Sequence, residues 1–270
     1  MFENEFNLCF NLHKAYTDIG IADDDKAKMS CIYDIPMDEI DGVLAGFEKQ
    51  NKESADAVLL ECGAPMVNPE KEFRIAYLGD SITSYRMSHQ HIVKKALEQY
   101  SNITFKDFSI SGYKVSDIFT AFYPGISDFK PNAAVMMIGT NDMRITDDEY
   151  GYTHTPIEHF ARDTAYIAEK LTNMGCKVVM VTLPPYCMEK MTVALDGWKI
   201  LYKEDVRASY DAEIVRIAEQ SGASLVDMRD EYKKYNAADI TIEDGLHLNS
   251  KGHLILTKKI FPKLAQLLKQ

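Results

Sequence analysis

No apolar run in this chain is long enough to cross a bilayer. The acidic start Met1-Phe2-Glu3-Asn4-Glu5 has neither a basic leader nor an apolar core. The sequence therefore predicts no membrane span and no secretory signal. Cysteine is sparse and unpatterned. The five residues, Cys9, Cys31, Cys62, Cys176 and Cys187, are odd in number and contain no Cys-x-x-Cys pair. That argues against a disulfide framework and for reduced thiols in a cytoplasmic protein. No zinc-binding or phosphate-loop motif occurs, so no metal or organic cofactor is expected. Basic residues are outnumbered, 30 against 41 acidic, for a formal net charge of −11. An acidic surface disfavours nucleic acid and anionic membranes as partners.

What is present is enough apolar material for a sizeable core, 46% of 270 residues. That suits one large domain, or one domain with an appendage. From Arg74 onward, short apolar runs alternate with helical patterns. Strands are expected at 75–78, 103–108, 133–138, 177–183 and 223–228. Helices are expected at 91–100, 115–122, from Thr155-Pro156 to 173, at 205–220, and from Asn249-Ser250 to 268. Thr155 is the expected cap of the third of these, with Pro156 in its first position. Such alternation predicts an α/β fold: three α/β/α layers around a five-stranded parallel sheet. Residues 1–70 lie outside this pattern. Their apolar stripes, at Asp38 to Phe47 and again at Ala55 to Leu60 after a polar break, read as several short helices, and Asp23-Asp24-Asp25 reads as a helix start. They would pack on a domain spanning 71–270 or join a homo-oligomer; a cap over a cleft is the other reading.

The chain's organising stretch is Ile75-Ala76-Tyr77-Leu78-Gly79-Asp80-Ser81-Ile82-Thr83. An apolar strand breaks at Gly79, where a tight turn is permitted, and Ser81 falls where the next helix should start. Its backbone N–H would be an unpaired donor there. A serine N-cap would read the same way. A nucleophilic serine needs a base, and the base needs an orienting group. Asp244-Gly245-Leu246-His247 supplies both, with the acid three residues before the histidine. The other histidines lack such a partner, and His13 and His253 read as surface or packing residues. Oxyanion donors could come from Gly112, at the end of Phe108-Ser109-Ile110-Ser111-Gly112, and from Asn141 in Gly139-Thr140-Asn141-Asp142. Each also reads as an ordinary turn residue.

The four blocks Gly79-Asp80-Ser81-Ile82, Ser111-Gly112, Gly139-Thr140-Asn141-Asp142 and Asp244-Gly245-Leu246-His247 stand in one order. Together they resemble the SGNH (GDSL-type) hydrolase superfamily from about Phe73 onward. The resemblance implies a flavodoxin-like sheet and an esterase with Ser81 as nucleophile, His247 as base and Asp244 as acid. It also implies an oxyanion hole made of the Ser81 and Gly112 N–H groups and the Asn141 amide. The family's usual Asn-x-Gly of the second block is replaced here, with Ser109-Ile110 ahead of Ser111-Gly112. The Gly-x-Ser-x-Gly elbow of α/β-hydrolases is absent. A small-molecule ester is the implied substrate, short-acyl or a carbohydrate O-acetyl ester. Lysophospholipase, thioesterase and acyltransferase chemistry use the same triad, and a non-catalytic binding module is the alternative of another class.

Further substrate contacts are expected at Tyr85, Tyr113, Arg144 and Tyr186. Arg86 and Met87 follow the serine block closely enough to join them at the mouth. The loop 184–204 carries Cys187, Met188, Met191 and Trp198, and either lines a pocket or folds on a small core of its own. Asp80 and Asp142 are expected to fix their turns.

Overall fold

The computed structural model describes residues 7–15, 25–147, 151–194 and 200–269. Trp198, Asp23 and Asp24 lie outside these. At its centre are five parallel strands: β1 (Phe73–Gly79), β2 (Ile103–Asp107), β3 (Ala133–Met137), β4 (Lys177–Val181) and β5 (Ser224–Val226), in the order β2-β1-β3-β4-β5. Pairings such as Ile75 with Phe105 and Ala133, Val135 with Val179, and Met180 with Leu225 set the register. In β1 and β3 nearly every residue is buried. That is why those strands read as continuous apolar runs and not as alternation: both sheet faces are covered.

One face carries α4 (His89–Ala96) and α9 (Ser250–Leu267), whose Ile92, Val93, Leu256, Ile260 and Leu264 meet Ile75, Tyr77 and Val135 of the sheet. The other carries α5 (Val115–Ala121), α6 (Ile157–Asn173) and α8 (Glu204–Ser221), which bury Ile118, Phe160, Ile167 and Ile214 against Ala76, Leu78 and Met136. This is the expected three-layer α/β/α arrangement. The chain runs from β1 out to β2 and then back past β1 to β3. The strand order therefore reverses between β1 and β3, and a crevice opens at the carboxyl ends of those strands.

The N-terminal region differs from expectation. Beyond α1 (Lys26–Tyr33), capped by the Asp25 carboxylate on the Lys28 N–H, there is one helix of 26 residues, α2 (Met37–Cys62), and not several short ones. The polar interval Lys49-Gln50-Asn51-Lys52-Glu53-Ser54 contains no Gly or Pro and is rich in good helix formers, so it propagates the helix. Within it Asn51 and Ser54 are buried. The Asn51 Nδ2 donates to the Arg86 carbonyl at 2.8 Å. α2 lies across α4 and α9 and places Ala55 and Val58 in their core. Element ends shift by a few residues elsewhere. α6 starts at Ile157 with Pro156 as its cap residue, so Thr155 does not cap it. α4 begins at His89 and ends at Ala96.

Candidate active site

The serine is placed by a steric constraint. A Cβ on Gly79 would stand 2.3 Å from Thr83 Oγ1 and 2.7 Å from the Met137 carbonyl oxygen. Only glycine lets β1 end that close to β3. Asp80 then caps the short helix α3 (Ser81–Ser84), its Oδ1 accepting from the Ile82 N–H at 2.9 Å. Ser81 thus occupies the first helical position at the sheet's carboxyl edge.

His247 reaches it from a tight loop before α9. The Ile242 N–H donates to the His247 carbonyl, and the Gly245 N–H to the Ile242 carbonyl. Gly245 has φ +73°, and a Cβ there would lie 2.4 Å from the Cys187 carbonyl oxygen. The loop is braced from α7 (Met188–Ala194): Lys190 Nζ donates to the carbonyls of Ala238, Thr241 and Ile242 at 2.6, 2.9 and 3.3 Å. Within it, Asp244 Oδ1 accepts from the N–H groups of Leu246 and His247. Asp244 Oδ2 lies 2.5 Å from His247 Nδ1, and His247 Nε2 lies 2.7 Å from Ser81 Oγ. A carboxylate only accepts, so Nδ1 carries the proton and Nε2 is free to accept from the serine hydroxyl. Burial pushes the Asp244 pKa up, but the His247 charge and these hydrogen bonds outweigh it and hold the carboxyl below its ordinary range. The array can move a proton from serine to imidazole while the acid stays ionised.

Asn141 and Gly112 face the same cleft. One Asn141 Nδ2 hydrogen donates to the Tyr113 carbonyl at 2.9 Å, which fixes the amide and leaves its second hydrogen for another acceptor. Gly112 has φ +87°, the left-handed region that favours glycine. Asp80 and Asp142 sit behind this edge. Asp142 accepts from the Val115 N–H at 3.1 Å, tying the β3 turn to the start of α5. Burial pushes the pKa of Asp80 to about 6 and that of Asp142 to about 7, the latter helped by the Asp80 charge.

The raised Asp142 value has a testable consequence. Its unfolded value is about 4, so between pH 4 and 7 the folded state binds the extra proton. Stability from this group is therefore greatest at acid pH and is lost as pH rises towards 7. Asp142→Asn removes that dependence and can still accept from Val115. Urea unfolding should show the variant gaining on the native protein from pH 4 to 7, then levelling off, by an amount on the order of a few kcal/mol. A difference that is constant with pH would contradict it.

The cleft has a volume of about 500 Å³. Its walls include Phe10, Leu12, Ile200, Ile242 and Leu246, and beside Asp244 its charged members are Arg144 and Glu243. Arg144 is thus where the sequence suggested. Its NH2 group rests 3.1 Å from His154 Nδ1, while its Nε is buried without a partner. Tyr85, Tyr113 and Tyr186 do not line the cleft. Tyr85 turns inward from the end of α3, is 1% exposed, and stacks on His253 at 5.3 Å. Tyr113 contributes its carbonyl to Asn141, and its ring packs on the core below. Tyr186 lies on Tyr202, ring centroids 5.3 Å apart. Arg86 and Met87 serve the N-terminal segment and its apolar cluster. In the 184–204 loop, Cys187 and Met191 are buried; among its described residues, Ala194 and Ile200 are the ones in the cleft's wall. Neither Ile242 nor Leu246 was expected in the wall, though their places two residues before Asp244 and directly before His247 could have pointed to them. Phe10 and Leu12 had no such signal.

A family model described as the GDSL-like lipase/acylhydrolase family matches residues 77–255. The chain belongs to that family. It is a carboxylic ester hydrolase of GDSL type. Among curated relatives, the human isoamyl acetate-hydrolyzing esterase 1 homolog is 23% identical over 215 residues, covering 74% of this chain and 83% of its own. Among solved structures, an acetyl xylan esterase superposes with a TM-score of 0.58 at 18% identity, over 71% of this chain and 100% of that one. The acetylxylan esterase Axe2 of Geobacillus stearothermophilus gives 0.57 at 18%, over 72% and 94%. A GDSL-like lipase from Parabacteroides merdae gives 0.58 at 18%, over 74% and 100%. These structural likenesses establish the fold shared with GDSL-type proteins. Among the described residues there is no cluster of three or more His, Cys, Asp or Glu able to hold a metal, and no helix long and apolar enough to cross a membrane.

Proposed function

We propose that this acylhydrolase cleaves short-acyl esters of aliphatic alcohols through Ser81, His247 and Asp244. Ser81 Oγ attacks the ester carbonyl carbon as His247 Nε2 takes its proton. The N–H groups of Ser81 and Gly112 and the free Asn141 hydrogen receive the oxyanion. The intermediate collapses, and His247 returns the proton to the departing alcohol. Water then attacks the acyl-serine by the same route. Asp244 holds the imidazole in its tautomer and stabilises the cation. The observation that carries this reading is the continuous relay from Asp244 Oδ2 to His247 Nδ1 (2.5 Å) and from Nε2 to Ser81 Oγ (2.7 Å).

The choice of alcohol follows from the cleft walls. Phe10, Leu12, Ile200, Ile242 and Leu246 offer aliphatic and aromatic surface and few polar groups to replace the hydration of a sugar. The relative named for hydrolysing isoamyl acetate, an alkyl ester, points the same way. The same reading divides the chain at about residue 70, with residues 71–270 as the hydrolase domain. No disulfide joins any two of the five cysteines, which fits a reducing compartment such as the cytoplasm.

The reading is tested by comparing kcat/KM for isoamyl acetate, hexyl acetate and an acetylated xylo-oligosaccharide. The alkyl acetates should be favoured by at least about tenfold, the discrimination that one or two buried methylenes supply. A preference for the acetylated sugar would overturn the aliphatic assignment.

A further inference from the structure

The base His247 is touched by a residue more than two hundred positions away in the chain. The Phe10 ring lies 4.3 Å from the His247 ring, tilted by 51°, and Phe10 is 2% exposed. Phe10 in turn stands 5.0 Å from the Tyr85 ring, and Tyr85 stacks on His253 at 5.3 Å and 18°. His253 belongs to α9 and is completely buried. A column of four rings therefore runs from the reactive imidazole into the rigid core.

The segment that carries Phe10 is pinned on both sides of the site. The carbonyls of Leu8 and Cys9 accept from Arg86 Nε and Arg86 N–H, each at 2.8 Å. Asn11 Nδ2 donates to the Ser84 carbonyl at 2.8 Å, at the end of the helix that begins with Ser81. The Phe10 carbonyl accepts from Ser111 Oγ at 3.0 Å, one residue before Gly112. Lys14 Nζ pairs with Asp107 at the end of β2 at 2.5 Å. Asn11 holds a left-handed backbone, φ 50°, a state asparagine reaches more readily than most residues with a side chain. Five separate ties to four partner residues are more than a loosely packed extension needs.

We propose that residues 7–15 are a strap belonging to the active site, in which Phe10 positions the His247 ring and Leu12 sets the size of the bound alkyl group. The proposal rests on the Ser81–His247 assignment above. The physical basis is geometric. Asp244 holds Nδ1 but leaves the ring free to tilt about that one bond. An aromatic face against the imidazole removes the tilt. A displacement on the order of 1 Å at the reacting atoms costs roughly 100-fold in rate. Leu12 shares the same wall and meets the substrate, not the base.

The test compares Phe10→Leu, Phe10→Tyr and Leu12→Ala with the native enzyme and with Ser81→Ala. Phe10→Leu keeps apolar volume, so its melting temperature should stay near native. Its kcat for 4-nitrophenyl acetate should fall about 10- to 100-fold with KM little changed. The rate at which a fluorophosphonate labels Ser81, per folded molecule, should fall by the same factor. Phe10→Tyr should restore both. Leu12→Ala should move preference towards longer or more branched alcohols, raising the ratio of kcat/KM for hexyl acetate to that for ethyl acetate. Native labelling and turnover in Phe10→Leu, with only the melting temperature lowered, would reduce Phe10 to packing and overturn the positioning role. An unchanged alcohol preference in Leu12→Ala would overturn the other half. Turnover surviving in Ser81→Ala would instead defeat the underlying assignment, whatever the strap variants do.

Discussion

Ser81→Ala should bring ester hydrolysis down to background, a loss approaching a million-fold as for other serine nucleophiles whose triads act as a unit, while the protein melts as before. The fold should be indifferent because, among the described residues, the one side-chain partner of Ser81 Oγ is His247 Nε2. His247 keeps its bond to Asp244 and its contact with Phe10. Nothing in the turn depends on the hydroxyl: Asp80, not Ser81, caps the short helix. The measurements are turnover of 4-nitrophenyl acetate, covalent labelling by a fluorophosphonate with mapping of the modified residue, and thermal unfolding. Near-native turnover in the variant, or labelling of the native protein at a different serine alone, would end the mechanism.

The parts of this site that could be read in the sequence are those where local chemistry and local geometry coincide. Gly79 precedes Ser81 because no side chain fits between β1, Thr83 and the β3 carbonyl. Asp244 and His247 share one loop, so three residues of spacing were enough to predict a hydrogen bond that lies within it. The sheet was legible for a related reason. A strand buried on both faces reads as an unbroken apolar run, and each one breaks at a polar turn where the crevice opens.

What escaped the sequence is the long-range packing. Tyr85 follows the serine block and looked like a mouth residue. The four-residue helix ends by directing its side chain inward, onto His253 and Phe10, and no local pattern reports that direction. The polar interval in α2 looked like a break because Asn51 and Ser54 interrupt the apolar stripe. They are buried, and Asn51 Nδ2 donates to the Arg86 carbonyl, a partner 35 residues away. Phe10 is the plainest case. Its role depends on a ring contact with His247 that no spacing rule relates to it.

The N-terminal helix decides the second large effect. Removing residues 1–68 should yield a protein that aggregates or cannot be recovered folded. α2 buries Ile40, Phe47, Ala55 and Val58, and the last two close the core around Ile92, Val93, Ala96 and Leu264 of α4 and α9. Each large apolar side chain withdrawn from water contributes roughly 1.5–3 kcal/mol. Losing Val58 with the surface it covers, together with Ile40, Phe47, Leu8, Phe10, Met29 and Ile35 of the N-terminal apolar cluster, amounts to on the order of 10 kcal/mol. A domain's whole stability is about 5–15 kcal/mol. The ties of Cys62 Sγ to the Lys258 carbonyl and of Glu61 to Lys258 would go as well, and α9 carries the histidine on which the ring column rests. A detachable lid would behave differently, leaving a soluble, monomeric domain with altered substrate preference. Gel filtration and thermal unfolding of the 69–270 fragment separate the two. A monomer as stable as the full chain would show that α2 covers the domain without holding it together.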